Sequence, residues 1–290
     1  MGLCEVARDD ILLGSRGGEV VARIGAAAGL ERLSLCGTGA GARGIASMLD
    51  GMDVGRLRDL SLARNSLGDA GARALAGIRG ARALESVDLT RAGLGACAMR
   101  AIGRAEWLPG LQELRLSYNP VGDRGLEALL ESAGPLAMKR LSLDRCALGD
   151  TPRAPLAEAE FTDLVELNLE SNTLCAATLE RMLRAPWAQG LHTLNLRRCA
   201  LDDRAARVLA ACAASMPKLR SLELGHNGIG RRGARALARA PWHGLEHLGL
   251  AHNDFDDRAA RILARSPCAH HLRTLDVMWC PNLGPRGVAC

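Results

Sequence analysis

An apolar pattern, LxxLxLxxN/CxL, recurs from residue 30 to the end of the chain. Its first apolar residue falls at Leu30, Leu57, Leu84, Leu111, Met138, Leu164, Leu191, Leu219, Leu245 and Leu272, with spacings of 26 to 28 residues. Self-similarity at this period is typical of repeat proteins. We therefore predict ten repeats over residues 30–290, preceded by an N-terminal capping segment at residues 1–29, whose helix we expect at 17–29.

Each repeat combines a strand with a helix. In the repeat that begins at Leu57, apolar and polar residues alternate around Leu60 and Leu62, as in a strand with one buried face. Ala72, Leu75 and Ala76 then recur at helical spacing. Aspartates at the helix starts are placed to accept hydrogen bonds from the first free N–H groups of their helices; they are Asp69, Asp123, Asp150, Asp203 and Asp257.

A single strand and helix cannot bury their own apolar faces, so such units have to stack on their neighbours. The predicted fold class is α/β, a solenoid in the form of a right-handed curved horseshoe. Parallel strands are expected on its concave face and helices on its convex face.

The ninth position of the pattern is expected to satisfy backbone groups where the chain turns inward. It holds Thr38, Asn65, Ala92, Asn119, Cys146, Asn172, Cys199, Asn227, Asn253 and Cys280. An Asn side chain offers donors and an acceptor to such groups, whereas Cys is a small residue with a weak donor. The ten cysteines of the chain include no CxxC pair, so we expect reduced core residues and no metal site.

Two segments depart from the repeat. Pro152 and Pro155 fall in residues 149–163, where a helix should run, and predict a broken or short helix in the fifth repeat. The last repeat stops at Cys290, within its predicted helix and without an obvious cap. We expect that this end is covered by a partner or a second copy, or that the sequence is a piece of a longer protein.

With these residues in place, the chain resembles the leucine-rich-repeat superfamily, and its 26- to 28-residue units with alternating Asn and Cys are most similar to the ribonuclease-inhibitor subclass. The resemblance implies the fold and a binding role. It is silent on the partner, because function in such folds depends on the exposed positions.

The exposed positions define two surfaces in the predicted repeats. We call the third, fifth and seventh positions the floor; its acids are Asp59, Asp88, Glu113, Asp144, Glu166, Glu170, Glu223 and Asp276, and its bases are Arg32, Arg115, Arg140 and Arg197. We call the eighth positions the rim; they are Gly37, Arg64, Arg91, Tyr118, Arg145, Ser171, Arg198, His226, His252 and Trp279. Some rim arginines are expected to pair with the floor acids.

The sequence favours a non-catalytic scaffold that binds a protein through this floor and rim, since aromatic and Arg side chains are frequent interface anchors. The predicted partner-binding residues are Arg115, Tyr118, Asp144, Arg145, Glu170, Arg197, Arg198, Glu223, His226, His252 and Trp279. By contrast, Trp107, Trp187 and Trp242 recur in one helical context and are predicted to pack in the core.

Other functions have less support. No catalytic or nucleotide-binding motif interrupts the repeats, so we predict no enzyme activity, cofactor or metal. His226 and His252 occupy adjacent rim positions but lack a third ligand. The alternatives are an anionic ligand or nucleic acid on the arginine rim, or regulation of a small GTPase. Nucleic acid is disfavoured by the acidic floor and the few aromatic residues.

Composition adds little to this picture. The net charge of +5 arises with only two lysines, and a chain so rich in arginine does not by itself indicate nucleic acid. No run of 18 apolar residues occurs, and the N-terminus carries acids where a signal peptide is apolar. We therefore expect a cytoplasmic protein with no membrane partner.

Overall fold

The computed structural model describes residues 5–7, 29–149 and 154–288. The described residues form strands β1 to β11, of three residues each, at Glu5–Ala7, Arg32–Ser34, Asp59–Ser61, Ser86–Asp88, Glu113–Arg115, Arg140–Ser142, Glu166–Asn168, Thr193–Asn195, Ser221–Glu223, His247–Gly249 and Thr274–Asp276. They also form helices α1 to α9 at Ala42–Asp50, Gly68–Ala76, Ala96–Gly103, Gly122–Ala133, Ala176–Leu183, Asp203–Cys212, Arg231–Arg239, Asp257–Ala264 and Pro285–Val288. Short 3-10 helices lie at Leu108–Gly110, Pro155–Ala157, Pro186–Gly190, Ala213–Ser215 and Pro267–His270.

The chain divides into two compact units, one of Met1–Ala147 with Ala159–Asp163 and one of Leu148–Glu158 with Leu164–Cys290. In the first unit, β1 to β6 pair in parallel and in sequence order. In the second unit, β7 to β11 do the same. This strand-and-helix repetition confirms the predicted α/β repeat fold, and β1 adds a strand from the segment expected to form the N-terminal cap. The helix expected at 17–29 lies outside the described residues, apart from Gly29.

The register of the strands follows the leucine period. The fourth-position residues pair across the first unit as Leu33, Leu60, Val87, Leu114 and Leu141, and across the second as Leu167, Leu194, Leu222, Leu248 and Leu275. All of them except Leu275 are almost fully buried. Burial of each such side chain contributes about 1.5–3 kcal/mol, so this inward column adds substantially to the stability of each unit.

The ninth-position side chains form the predicted ladder. Asn119 Oδ1 accepts hydrogen bonds from the amides of Ala92 (2.9 Å) and Leu94 (3.0 Å). Its Nδ2 donates to the carbonyls of Leu89 and Leu116, both at 2.8 Å. One side chain thus satisfies backbone groups of its own repeat and of the preceding one. Equivalent cross-repeat bonds are made by Asn65, Asn172, Asn227 and Asn253.

Cysteine replaces Asn in this ladder as a buried thiol. Cys146 Sγ donates to Leu116 O at 3.2 Å, and Cys199 Sγ donates to Leu169 O at 3.1 Å. Burial raises the pKa of each thiol to about 12, so both remain protonated at neutral pH. Cys280 makes the same contact with Leu250 O, and all cysteines among the described residues are free thiols.

The three repeated tryptophans pack as predicted. Trp107, Trp187 and Trp242 are buried, and each indole N–H donates to a backbone carbonyl. Between residues 149 and 163, the described part of the chain contains only the 3-10 helix Pro155–Ala157, which agrees with the broken helix predicted there. No helix among the described residues is long and apolar enough to span a bilayer.

The helix-capping prediction is wrong for most of the aspartates. The helices that contain Asp69 and Asp123, Gly68–Ala76 and Gly122–Ala133, have no side-chain cap, and Asp150 lies outside the described residues. Asp203 does not cap its own helix either. Its own helix is capped by Asp202, whereas Asp203 Oδ1 accepts the amides of Gly230 and Gly233, both at 2.8 Å, at the start of the next repeat's helix. A side chain at Gly233 would collide with this carboxylate, since a Cβ there would stand 2.7 Å from Asp203 Oδ1. The aspartate therefore links two neighbouring helices. A similar division holds between Asp256, which caps its own helix, and Asp257, which accepts from the Gly284 amide.

Candidate functional site

Every rim residue is in the left-handed backbone region. The φ angles of the nine non-glycine rim residues lie between 51° and 59°, and that of Gly37 is 68°. The rim amides still donate along the sheet, for example Tyr118 N to Asp144 O at 2.8 Å and His252 N to Met278 O at 2.9 Å. The chain then turns sharply, which sends the next side chain inward to the ladder.

This conformation has an energetic cost. A left-handed residue with a Cβ is about 1–2 kcal/mol less favourable than the same residue in the right-handed region, whereas Gly adopts either at no steric cost. Nevertheless, only Gly37 among the ten rim positions is Gly. The sequence therefore retains Arg, Tyr, Ser, His and Trp side chains where folding alone would favour Gly.

In the first unit, the rim places Tyr118 between two arginines. The Cζ atom of Arg91, from the preceding repeat, lies 4.3 Å from the centroid of the Tyr118 ring, and that of Arg145, from the following repeat, lies 5.1 Å away. Both distances are within the range of cation–π attraction. Tyr118 remains 39% exposed, and Arg64, Arg91 and Arg145 are also exposed.

The floor of the first unit carries its own ion pairs. Glu113 is buried and accepts from Arg115 Nη2 at 2.6 Å and from Arg140 Nη2 at 3.0 Å. Burial by itself would raise the pKa of Glu113, but these two guanidinium groups outweigh it and hold the pKa below its ordinary value. On strands β2 and β3, Arg32 Nε lies 3.1 Å from Asp59 Oδ2.

The expected pairing between rim and floor is therefore corrected. Arg64, Arg91 and Arg145 form no ion pair among the described residues, whereas the floor acids Asp59, Asp88 and Glu113 pair with floor arginines of the same or a neighbouring strand. Asp144, which was predicted to take part in the site, accepts a hydrogen bond from the Ser117 hydroxyl. The floor and rim thus have separate electrostatics in this unit.

In the second unit, the rim forms a column of rings. The His226 and His252 rings stack with their centroids 3.9 Å apart, and the Trp279 ring lies nearly parallel to His252 at 6.0 Å. Arg198 Nη2 lies 3.5 Å from His226 Nε2, to which it donates. Burial, Arg198 and His252 together lower the pKa of His226, so its neutral form accepts this bond.

The floor of the second unit is shaped by two glycines. Arg197 Nη1 lies 3.7 Å from Glu223 Oε2, and His247 Nε2 lies 2.5 Å from Glu223 Oε1. A Cβ at Gly225 would meet the Arg197 guanidinium at 3.4 Å, and a Cβ at Gly249 would clash with the Glu223 carboxylate. These glycines therefore let both long side chains lie against the sheet.

Strand β11 and the residues that follow it expose large apolar side chains. Leu275 is 43% exposed although its equivalents are buried, and Met278 and Trp279 are 63% and 73% exposed. With Tyr118, these are the large hydrophobic side chains most accessible to solvent in the described chain. Trp279 therefore belongs both to the rim and to this apolar patch.

The predicted site residues divide between the two units. Arg115, Tyr118, Asp144 and Arg145 lie on the floor and rim of the first, and Glu170, Arg197, Arg198, Glu223, His226, His252 and Trp279 on those of the second. The predicted partner-binding set omitted the rim residue Arg91, which covers Tyr118, and His247, which binds Glu223. The available signal for Arg91 was its offset of 27 residues, one repeat, from Tyr118. His247 and Glu223 hold different positions in neighbouring repeats, 24 residues apart, so the repeat offset gave no signal for that contact.

No group of three or more metal-binding side chains assembles within residues 5–7, 29–149 and 154–288. His226 and His252, considered above as a weak metal pair, instead contact each other through their ring faces. Glu170 Oε2 accepts from Asn195 Nδ2 at 3.4 Å, so the second floor also contains uncharged polar contacts.

Comparison with known proteins matches the family model described as leucine-rich repeat to residues 57–76, 110–130, 215–238 and 268–290. A pig ribonuclease inhibitor (Sus scrofa) is 33% identical over 194 residues, which are 62% of this chain and 42% of that protein. The NACHT, LRR and PYD domains-containing protein 5 of cattle (Bos taurus) is 30% identical over 225 residues, 71% of this chain and 20% of that protein. The chain thus spans well under half the length of these relatives.

Solved structures agree on the fold. A chain in the crystal structure of the Rad7 and Elc1 complex in yeast superposes with a TM-score of 0.64 at 20% identity, covering 95% of this chain and 69% of that one. An internalin (inlF) from Listeria monocytogenes superposes with a TM-score of 0.52 at 18% identity, covering 91% and 74%. At these identities the likeness concerns architecture alone.

Proposed function

This chain belongs to the leucine-rich-repeat superfamily and has repeats of the ribonuclease-inhibitor type, and from that premise we propose that it is a non-catalytic scaffold that binds a protein partner through its floor and rim. The pig relative is named for the inhibition of ribonuclease, itself a protein. That kind of role favours a protein as the partner here as well.

The observation that carries the proposal is the chemistry of the rim. Nine left-handed positions hold side chains where Gly would cost less, and these include the exposed Tyr118 and Trp279. Tyr, Trp and Arg are the residue types enriched among interface anchors. A binding role accounts for the retention of these side chains in an unfavourable backbone conformation.

The proposed contact residues of the first unit are Arg115, Tyr118, Asp144 and Arg145. Those of the second unit are Glu170, Arg197, Arg198, Glu223, His226, His252 and Trp279. Tyr118 in the first unit and Trp279 in the second are the proposed anchors, since each combines a large ring with high exposure.

Affinity capture with two matched triple variants tests the proposal. The rim variant carries Tyr118→Ala, Arg145→Ala and Arg198→Ala, and the control carries Arg73→Ala, Arg100→Ala and Arg207→Ala at exposed helix positions. The unmodified chain is first used to recover proteins from an extract of the native cells. The recovered proteins are then titrated against the unmodified chain, the rim variant and the control variant. We expect the rim variant to bind at least about tenfold more weakly and the control to bind normally, since anchor side chains contribute about 1–3 kcal/mol each.

Equal binding by the rim variant and the unmodified chain would exclude the rim as the contact surface. Circular dichroism of both variants provides the folding control, because all six positions are on the surface and their substitution should leave the fold intact.

A further inference from the structure

Three arginines on the rim of the first unit have exposed charges that no carboxylate of the described residues neutralises. Arg64, Arg91 and Arg145 form no ion pair within the described residues, and the nearby Glu113 and Asp59 are already paired with floor arginines. This rim is therefore locally positive although acids lie beside it. A complementary partner would present negative charge to it.

Tyr118 holds two of these charges in place. Arg91 and Arg145 lie over its ring from the preceding and following repeats, with Cζ-to-centroid distances of 4.3 and 5.1 Å. Attraction to the ring leaves the guanidinium N–H groups available to an anion, and it reduces the entropy that the arginines would lose on binding. The Tyr118 ring thus holds the guanidinium groups of Arg91 and Arg145 in position as a pair of anion-binding groups.

The spacing of this pair is compatible with a particular peptide conformation. Added across the ring, the two Cζ-to-centroid distances allow the guanidinium carbons a separation of up to about 9 Å, close to one turn of a polyproline II helix, about 9.3 Å for three residues. Side chains three residues apart lie on the same side of such a helix. Two acids at that spacing would meet both guanidinium groups at once.

Resting on the proposed function, we propose that the rim of the first unit binds an acidic peptide segment of the partner in polyproline II conformation, with a carboxylate at every third residue. Arg91 and Arg145 bind successive carboxylates, and Arg64, in the repeat before that of Arg91, adds to the attraction. Nucleic acid fits less well, because arginines cover the two faces of Tyr118 on which a base would stack.

Fluorescence anisotropy with a labelled peptide of repeated Glu-Pro-Pro tests the inference, with repeated Gln-Pro-Pro as the uncharged control. We expect the full chain to bind the Glu peptide and not the Gln peptide, with affinity that falls as salt rises. The double variant Arg91→Ala, Arg145→Ala should bind at least about tenfold more weakly, because hydrogen bonds to charged groups are lost. The double variant Arg73→Ala, Arg100→Ala, which removes the same charge from helices of the same unit, should lose less than about twofold.

Substitution of Tyr118 separates a positioned pair from simple charge attraction. Tyr118→Leu keeps all arginines but removes the ring. It should weaken binding of the Glu peptide by about threefold to tenfold, more than Tyr118→Phe does. Equal effects of Leu and Phe, or equal losses in the two arginine double variants, would overturn the inference. So would the absence of binding at low salt, or tighter binding of a single-stranded RNA that displaces the peptide.

The outcome is independent of the proposed function in one respect. If the Glu-Pro-Pro peptide fails to bind while the triple rim variant still loses its captured protein, only the inference about peptide chemistry fails. If both experiments are negative, the protein-binding proposal fails as well.

Discussion

The rims of the two units share one backbone and differ in chemistry. In the first unit, Tyr118 separates two guanidinium groups, so the exposed edge is positive. In the second, His226, His252 and Trp279 stack into a ring column with Arg198 at one end. The contrast teaches that the repeat sets where rim side chains stand, whereas their identities decide whether neighbours repel, stack or bind. Each unit therefore has a rim chemistry of its own.

If both rims rest on equivalent cores, removal of the buried leucine beneath each should have the same large effect. Leu114→Ala in the first unit and Leu222→Ala in the second should each lower the free energy of unfolding by about 2–5 kcal/mol, since both leave a cavity in a fully buried column. Leu275→Ala, at the same repeat position but 43% exposed, should cost less than about 1.5 kcal/mol. Urea denaturation measures all three, and a loss at Leu275 as large as at Leu222 would contradict the exposure difference.

Substitutions at two rim positions should change the free energy of unfolding by smaller amounts and in opposite directions. One removes a Cβ from a left-handed residue, and the other adds one. Ser171→Gly should raise the free energy of unfolding by up to about 1 kcal/mol, because its φ of 58° suits Gly. Its hydroxyl is also buried without a hydrogen-bond partner in the described chain. Gly37→Ala should lower stability by about 1 kcal/mol at a φ of 68°. Unchanged melting of both variants would mean that the rim conformation carries no strain.

The smallest expected effect is a pH dependence of stability that arises from His226 in the ring column. The arginine rim has no group that titrates near neutral pH. Nuclear magnetic resonance should find the pKa of His226 below the ordinary histidine value, and Arg198→Ala should raise it, because a neighbouring positive charge is removed. Since the unfolded chain binds this proton first, the free energy of unfolding should fall as pH decreases from the ordinary histidine pKa to the lowered one, and then level off. If Arg198→Ala left the pKa of His226 unchanged, Arg198 would not be a cause of its lowering.

Much of the fold was predictable because its causes are local and repeated. The leucine period predicted the strands and their register, Pro152 and Pro155 predicted the interrupted helix, and the ninth position predicted the Asn and Cys ladder. The capping aspartates were predicted less well. Asp203 lies at the start of its own helix in sequence, yet its carboxylate is closer to the amides of the next helix. Sequence spacing cannot distinguish these two acceptors, since the choice depends on the close approach that Gly233 permits.

The sequence by itself determined the repeat, its buried column and the residues available on the floor and rim. Only the tertiary structure decided which of those residues meet: Glu113 is enclosed by Arg115 and Arg140, Tyr118 lies between Arg91 and Arg145, and His226 stacks on His252. The physical reason is that burial depends on periodicity along the chain, which the sequence displays directly. Contacts between exposed side chains depend instead on turn geometry and side-chain direction across neighbouring repeats, and these exist only once the repeats are stacked.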